Sequence, residues 1–368
     1  MDIKDILLSI LKIKSVTSQE EELRNFITHL IKDLIHFEVI RNNVVCYNTD
    51  NCKIAFVGHI DTVENVNEYN AVIYGDKVYG LGASDMKAGI AVMIMLLLEF
   101  YNLPILWIFY DREEGSYRDN GLELVFRNFE NIIKNLDYVL IFEPTSNNVE
   151  IGCNGVINYG IWIKGKSGHS ARPNTYKNPF YQLIPMIQFF KDFSGEEYSF
   201  PLEINQKIFN LRYKNNAVIT QIRGYNSFEE ENRFRNVVPE YCFVNLNVRF
   251  TPNYEFDEVN LKFLEFFENL EKKVIIDKIE ILDGAPAGKI LLNDKLKDFI
   301  KWYINVSGYS IFAKQAWTDV ARFSLLGVPA INLGPGEPEQ AHQKNEYARL
   351  SKTEELYNNL RRFLSIYF

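Results

Sequence analysis

Cysteine is scarce in this chain of 368 residues: Cys46, Cys52, Cys153 and Cys242 show no CxxC spacing. A disulfide framework is therefore not expected, and the four read as reduced, mostly buried thiols. Basic charge is in deficit, with 40 Lys and Arg against 48 Asp and Glu for a net charge of -8. No long basic block is present, so a nucleic-acid partner has no electrostatic footprint. Long apolar runs are missing too. The longest, Ala88 to Leu98, falls short of the roughly 20 residues that a membrane-spanning helix needs. The opening Met1-Asp2-Ile3-Lys4-Asp5 puts acid where a signal peptide carries base. Internal repeats and low-complexity tracts are absent. These absences lead to the expectation of a cytoplasmic protein with neither nucleic acid nor membrane as partner.

What is present is globular. Hydrophobic residues make up 47% of the chain, and 27 Phe with 21 Tyr leave no case for disorder. The length favours two domains. Helical spacing covers Ile3 to Leu11 and recurs at Leu23, Phe26, Ile27, Leu30, Ile31 and Leu34, with Ser18-x-x-Glu21 read as a capping box for the second helix. A β-rich stretch follows from Val39 to Tyr47. Three short apolar runs then read as buried strands. Lys53 to Val57 ends in Gly58-His59-Ile60-Asp61, Pro104 to Tyr110 runs into Asp111-Arg112-Glu113-Glu114-Gly115, and Asp137 to Phe142 ends in Glu143-Pro144-Thr145. Strands alternate with helices, as in a doubly wound sheet whose strand ends line a ligand crevice. Between the first two strands, Gly80-Leu81-Gly82-Ala83-Ser84-Asp85-Met86-Lys87 opens a wholly apolar helix from about Asp85 to Phe100. Alone, Asp85 reads as the N-cap of that helix. Beside the other strand-end residues it reads as a metal ligand.

From about Asn158 the order becomes strand (Tyr159 to Lys164), helix (Asn178 to Phe193), two strands (around Ala217 to Arg223 and Tyr241 to Phe250), helix (Asp257 to Leu270) and strand (Lys273 to Leu282). That βαββαβ order is a compact α+β unit. The expected fold is therefore α/β, a doubly wound mixed sheet with helices on both faces built from 1–157 and 284–368, plus an inserted α+β domain at 158–283. The acidic run Glu229-Glu230-Glu231 reads as a solvated hairpin tip between the middle strands. After the insertion come a helix (Asp294 to Asn305), a strand (Val328 to Asn332) with Gly334-Pro335-Gly336 and Ala341-His342 beyond its end, and a last helix from about Lys352.

The strand-end residues are His59, Asp61, Asp85, Glu113, Glu114, Glu143 and His342. Two imidazoles with several carboxylates form a mixed N/O set that suits Zn²⁺, with Mn²⁺ or Co²⁺ as substitutes. Two metals about 3.5 to 4 Å apart need a bridging carboxylate and together hydrolyse unreactive bonds. His59-x-Asp61 fits a ligand whose imidazole is oriented by a carboxylate behind it. Of the adjacent Glu113 and Glu114, one can ligate while the other acts as base. His29 and His36 have no partners at useful spacing and carry no chemistry.

Seven segments together resemble the di-zinc aminoacylase and exopeptidase family. They are Gly58-His59-Ile60-Asp61-Thr62-Val63, Gly80-x-Gly82-x-x-Asp85-Met86-Lys87, Asp111-Arg112-Glu113-Glu114-Gly115, Glu143-Pro144-Thr145, Gly168-His169-Ser170-Ala171-Arg172-Pro173, Asn236-Val237-Val238-Pro239 and Ala341-His342. They span nearly the whole chain in the family's order. The resemblance implies a zinc-peptidase-like catalytic domain in which Asp85 bridges two zinc ions, with cobalt or manganese in one site as a variant. His59 and Glu143 would complete one site, and Glu114 and His342 the other. Asp61 would orient His59. Glu113 would take a proton from the attacking water and deliver it to the leaving amine.

The resemblance also implies a homodimer formed through the inserted domain, with His169 reaching the partner's site to stabilise an oxyanion and Asn236 approaching the substrate. Arg249, Arg172, Thr318 and Arg322 would contact an N-acyl amino-acid substrate. Trp317-Thr318-Asp319-Val320-Ala321-Arg322-Phe323 is most like the desuccinylase branch of Gram-positive bacteria, which implies hydrolysis of N-succinyl-L,L-diaminopimelate to succinate and L,L-diaminopimelate in lysine biosynthesis. An acetylornithine-type deacetylase or metallo-exopeptidase is the sister alternative, and a metal-free dimeric binding protein the alternative of another class.

Overall fold

A computed structural model describes residues 2–64, 71–227, 230–270 and 274–368. Its larger sheet has eight strands: β1 (Phe37–Ile40), β2 (Asn43–Cys46), β3 (Ile54–His59), β4 (Ile105–Tyr110), β5 (Tyr138–Ile141), β6 (Val149–Ile151), β7 (Ile311–Ala313) and β8 (Ala330–Asn332). They lie in the order β1-β2-β4-β3-β5-β8-β6-β7. The four central strands, β4, β3, β5 and β8, run parallel, and the β2–β4 and β8–β6 pairs are antiparallel.

The near-continuous apolar runs of β3 and β4 follow from burial on both faces. Alternate residues feed two different cores. Ile54, Phe56, Trp107, Phe109 and Leu140 point to one side, and Ala55, Val57, Leu106, Ile108, Val139 and Ile141 to the other. The first core is covered by α1 (Ile3–Lys12), α2 (Glu21–Ile31), α3 (Ala88–Phe100) and two C-terminal helices, Asp294–Ser307 and Leu350–Tyr367. The second is covered by α4 (Leu122–Lys134) and the short helix Val320–Leu325. Helices on both faces of a mixed sheet are the expected doubly wound arrangement.

The apolar run of α3 from Ala88 to Leu98 is explained by its neighbours, since the helix packs on β3, α1 and the last helix. Gly58 permits this approach. A Cβ there would come within 2.7 to 2.9 Å of the side-chain ends of Ile90, Met86 and Met93, so a larger residue would force those side chains to move where α3 packs on the strand that carries His59.

The smaller sheet is antiparallel, with Gly155–Lys164 at its middle between Tyr241–Phe250 and Ile276–Ala285, and Asn216–Ser227 beyond. Helices Ile184–Ser194 and Phe256–Leu270 back it, and Tyr159, Phe190, Phe193, Phe263 and Phe267 fill the space between. Its first strand starts at Gly155, just before the expected boundary. A hairpin, Glu197–Ile204 with Lys207–Lys214, was not expected. Its Leu202, Ile204, Leu211 and Tyr213 join the core of the larger sheet, so part of the inserted sequence packs with the other body. Glu229 lies outside the described residues, as does Lys273, while the Glu230–Glu231 backbone pairs with Asn216–Ser227.

Two local expectations are corrected. Ser18 does not cap the second helix: it sits at φ 74°, its N–H donates to Glu20 Oε1 at 2.6 Å, and Glu20 occupies the N-cap position. Asp85 does not cap α3. The turn Ala83–Lys87 intervenes, Asp85 and Met86 have non-helical backbone angles, and α3 begins at Ala88 without a side-chain cap. The carboxylate is thereby free to point into the crevice.

Candidate metal centre

The parallel order of β3, β4, β5 and β8 brings their carboxyl ends to one edge. His59 ends β3, Asp111 to Glu114 follow β4, Glu143 follows β5, and the chain beyond β8 leads to His342. Asp85 enters from the turn before α3, and its peptide bond to Met86 is cis.

The side chains converge. His59, 1% exposed, places Nε2 3.1 Å from Asp85 Oδ1 and 3.8 Å from Glu143 Oε1. His342 places Nε2 2.9 Å from Glu114 Oε2 and 3.6 Å from Asp85 Oδ2. Two triads result, His59–Asp85–Glu143 and Asp85–Glu114–His342, each with ligand atoms within 4.8 Å of one another. Asp85 belongs to both, offering one oxygen to each. A third grouping, His59–Glu113–Glu114, overlaps them.

Electrostatics fit a multivalent cation. Burial first, and then the charge of Asp85, push Glu143 up to about 8. Burial raises Glu113 well above the carboxylate range, opposed by His59 and reinforced by Glu143 and Glu114. The hydrogen bond to Glu114 raises His342 to about 9. Oε1 of Glu143 is buried without a hydrogen-bond partner. Four crowded carboxylates with two imidazoles and an orphaned oxygen are the donor set expected of a site for two divalent metals.

Asp61 is placed behind this centre. His59 Nδ1 lies 3.0 Å from the Asp61 carbonyl oxygen and 3.5 Å from its Oδ1. The Asp61 carboxylate accepts the N–H of Glu113 at 2.9 Å, the N–H of Glu114 at 3.1 Å and the hydroxyl of Thr17 at 2.9 Å. It therefore braces the paired glutamates as well as standing beside the imidazole.

A cavity of about 420 Å³ opens over the triads. Arg249 and Thr318 line it, from the smaller sheet and from the segment after β7. Arg249 donates from Nε to Asn247 at 3.1 Å and pairs with no carboxylate among the described residues, while burial pulls its pKa down. Arg322 is turned away. Its guanidinium forms an ion pair with Asp319 Oδ1 at 2.8 Å and stacks 3.9 Å over the Tyr117 ring. Arg172, His169 and Asn236 are exposed and outside the cavity lining. The last two are brought together, since Gly168–His169 pairs with Val237–Val238 and the Ser170 N–H donates to the Asn236 carbonyl. The Ala171 N–H donates to His169 Nδ1 at 3.1 Å, which leaves the neutral ring's proton on Nε2.

Sequence reasoning missed Lys314 and Trp317, both in the cavity wall. Lys314 is buried, paired with Glu150 at 2.8 Å and bonded to the Pro144 carbonyl beside Glu143. A lone lysine in an irregular segment carries no spacing signal. Trp317 belongs to the segment Trp317-Thr318-Asp319-Val320-Ala321-Arg322-Phe323, where an indole beside polar residues reads as packing.

Comparison with known proteins bears on the chemistry. Residues 55–365 match the model of peptidase family M20/M25/M40. A succinyl-diaminopimelate desuccinylase of Corynebacterium glutamicum is 29% identical over 367 residues, covering 96% of this chain and 93% of that protein. An M20 family metallo-carboxypeptidase from Sulfolobus solfataricus superposes with a TM-score of 0.74 at 17% identity, covering 100% of this chain and 99% of the other. A dinuclear metal-binding M20 peptidase from Bacillus subtilis gives 0.62 at 15% identity, covering 97% and 95%. The chain belongs to peptidase family M20/M25/M40 and is a metal-dependent hydrolase.

Proposed function

We propose that the chain is a di-zinc amide hydrolase that cleaves N-succinyl-L,L-diaminopimelate to succinate and L,L-diaminopimelate. The observation that carries this reading is the pair of ligand triads sharing Asp85, with Glu113 beside them at the cavity. His59, Asp85 and Glu143 would hold one zinc, and Asp85, Glu114 and His342 the other, cobalt or manganese being substitutes in one site. Bound there, the ions would polarise the amide carbonyl and acidify water.

The remaining steps belong to the protein. Glu113 takes a proton from the attacking water and passes it to the leaving amine. Asp61 holds the Glu113 backbone so that the carboxylate faces the cavity. His169, donating from Nε2, stabilises the oxyanion in the partner's site of a homodimer. That dimer forms through the unit at 158–283, with 1–157 and 284–368 as the catalytic body. Asn236 reaches the substrate from beside His169.

Arg249, half-buried and without an acidic partner among the described residues, supports a substrate carboxylate at one end of the cavity. Thr318 lines the same space, while Arg322 supports it indirectly through Asp319 and Tyr117. The Corynebacterium relative's name supports the succinyl group and the diamino acid; a cytoplasmic role in lysine biosynthesis completes the reading. A panel of succinylated, acetylated and peptide substrates tests the assignment: the succinylated diamino acid should give the highest kcat/KM, and preferred turnover of a dipeptide would overturn it.

A further inference from the structure

The loop that delivers Asp85 is tied to the chain end by a single side chain, Glu346. This residue stands four places after His342 and is 3% exposed. Its Oε2 accepts the N–H of Gly82 at 2.9 Å, and its Oε1 accepts the N–H groups of Ser84 at 2.7 Å and Asp85 at 2.9 Å. Its own carbonyl accepts the Gly80 N–H at 3.2 Å. The three amides lie ahead of Ala88, where α3 starts, so the regular ladder of that helix does not serve them. Buried amides need acceptors, and the two oxygens of one carboxyl group supply them for all three.

Other contacts lock the same two segments. Ser84 Oγ donates to the Glu337 carbonyl at 3.0 Å. A Cβ at Gly336 would lie 2.1 Å from the Ser84 carbonyl oxygen. The loop bearing Asp85 and the loop bearing His342 are therefore one packed unit, and the Glu346 carboxyl is the acceptor at its centre.

We propose that Glu346 is a positioning residue that sets Asp85 between the two triads before any metal arrives and couples its placement to that of His342. The proposal rests on the reading of Asp85 as the shared ligand. Glu346 reaches the ion only through the backbone of residues 82–85, and nothing in the reaction requires it to exchange a proton.

The test uses the full-length, metal-stripped protein titrated with cobalt(II), whose visible absorption reports ligand geometry. Glu346→Gln keeps the shape but turns one acceptor into a donor facing a donor. It should fold, weaken cobalt affinity about ten- to a hundred-fold, shift the cobalt spectrum, and lower kcat more than it raises KM. Unchanged affinity and spectrum would overturn the proposal. Amide hydrogen exchange on metal-free wild type keeps the question open to test if the variant fails to fold. Gly82, Ser84 and Asp85 should be protected without metal, and rapid exchange that slows only on cobalt addition would overturn pre-organisation by Glu346. A wild-type chain that binds no cobalt would instead overturn the metal reading on which the proposal rests.

Discussion

The carboxylate of Asp61 holds the backbone of Glu113: Oδ1 accepts the Glu113 N–H at 2.9 Å, and Oδ2 accepts the next N–H, of Glu114, at 3.1 Å. One side chain thus aligns the proposed base and a proposed ligand while its own carbonyl oxygen lies 3.0 Å from His59 Nδ1. Asp61→Asn replaces one acceptor by a donor opposed to an N–H. The expected result is a fall in kcat of about ten- to a hundred-fold with metal still bound more weakly than in wild type. Steady-state kinetics with metal analysis on the same sample check it; wild-type kcat would remove Asp61 from this role.

Glu113→Gln should keep its metal and lose about a hundred- to ten-thousand-fold in kcat. His169→Ala should also lose turnover without losing metal, because His169 lies outside both triads. If His169 works in the partner's site, mixing the two inactive variants and allowing subunit exchange creates dimers in which one site is intact. Recovery should approach about a quarter of wild-type activity at equal mixing. No recovery after demonstrated exchange would contradict the trans arrangement.

The metal-free protein should become less stable as pH rises from about 5 to about 7. Glu143 is raised by burial from 4.5 to about 8, and His342 by its bond to Glu114 from 6.5 to about 9. Both hold protons more tightly folded than unfolded, so their stabilisation is complete below the unfolded pKa and is lost as pH climbs toward the folded one. Lys87, held down to about 7 by burial, acts in the opposite sense only above that pH. Metal needs these sites deprotonated, so the gain in stability on adding zinc should grow over the same range. Urea midpoints with chelator and with zinc check both slopes, and a chelated midpoint that rises with pH would contradict the account.

The strands β3, β4 and β5 were legible because they are buried on both faces and so read as apolar runs, each closed by the residue it presents, whereas β6 and β7, three residues each, are too short to show a pattern. The βαββαβ unit was legible for similar reasons. The hairpin at 197–214 was passed over, although Tyr198, Phe200, Leu202 and Ile204 alternate and Asn205-Gln206 mark its turn, both residues at positive φ. Its apolar side faces the other body's core, a destination that local pattern does not disclose. Asp85 taken alone reads as a helix cap, because a non-helical turn leaves no trace in propensity; only the other strand-end residues mark it as a ligand. Glu346 carries no signal of its own either: its three partners are backbone amides more than 260 positions away in sequence, and only the fold brings them together.

The central claim is that Asp85 is shared by two metal sites. Metal analysis after reconstitution with excess zinc and removal of the free ion tests it most directly, on wild type and on Asp85→Ala. The account predicts two zinc per wild-type chain and loss of both sites in the variant, since each triad is left with two of its three ligands. Wild type that holds one zinc or none, or a variant that still holds two, would contradict it.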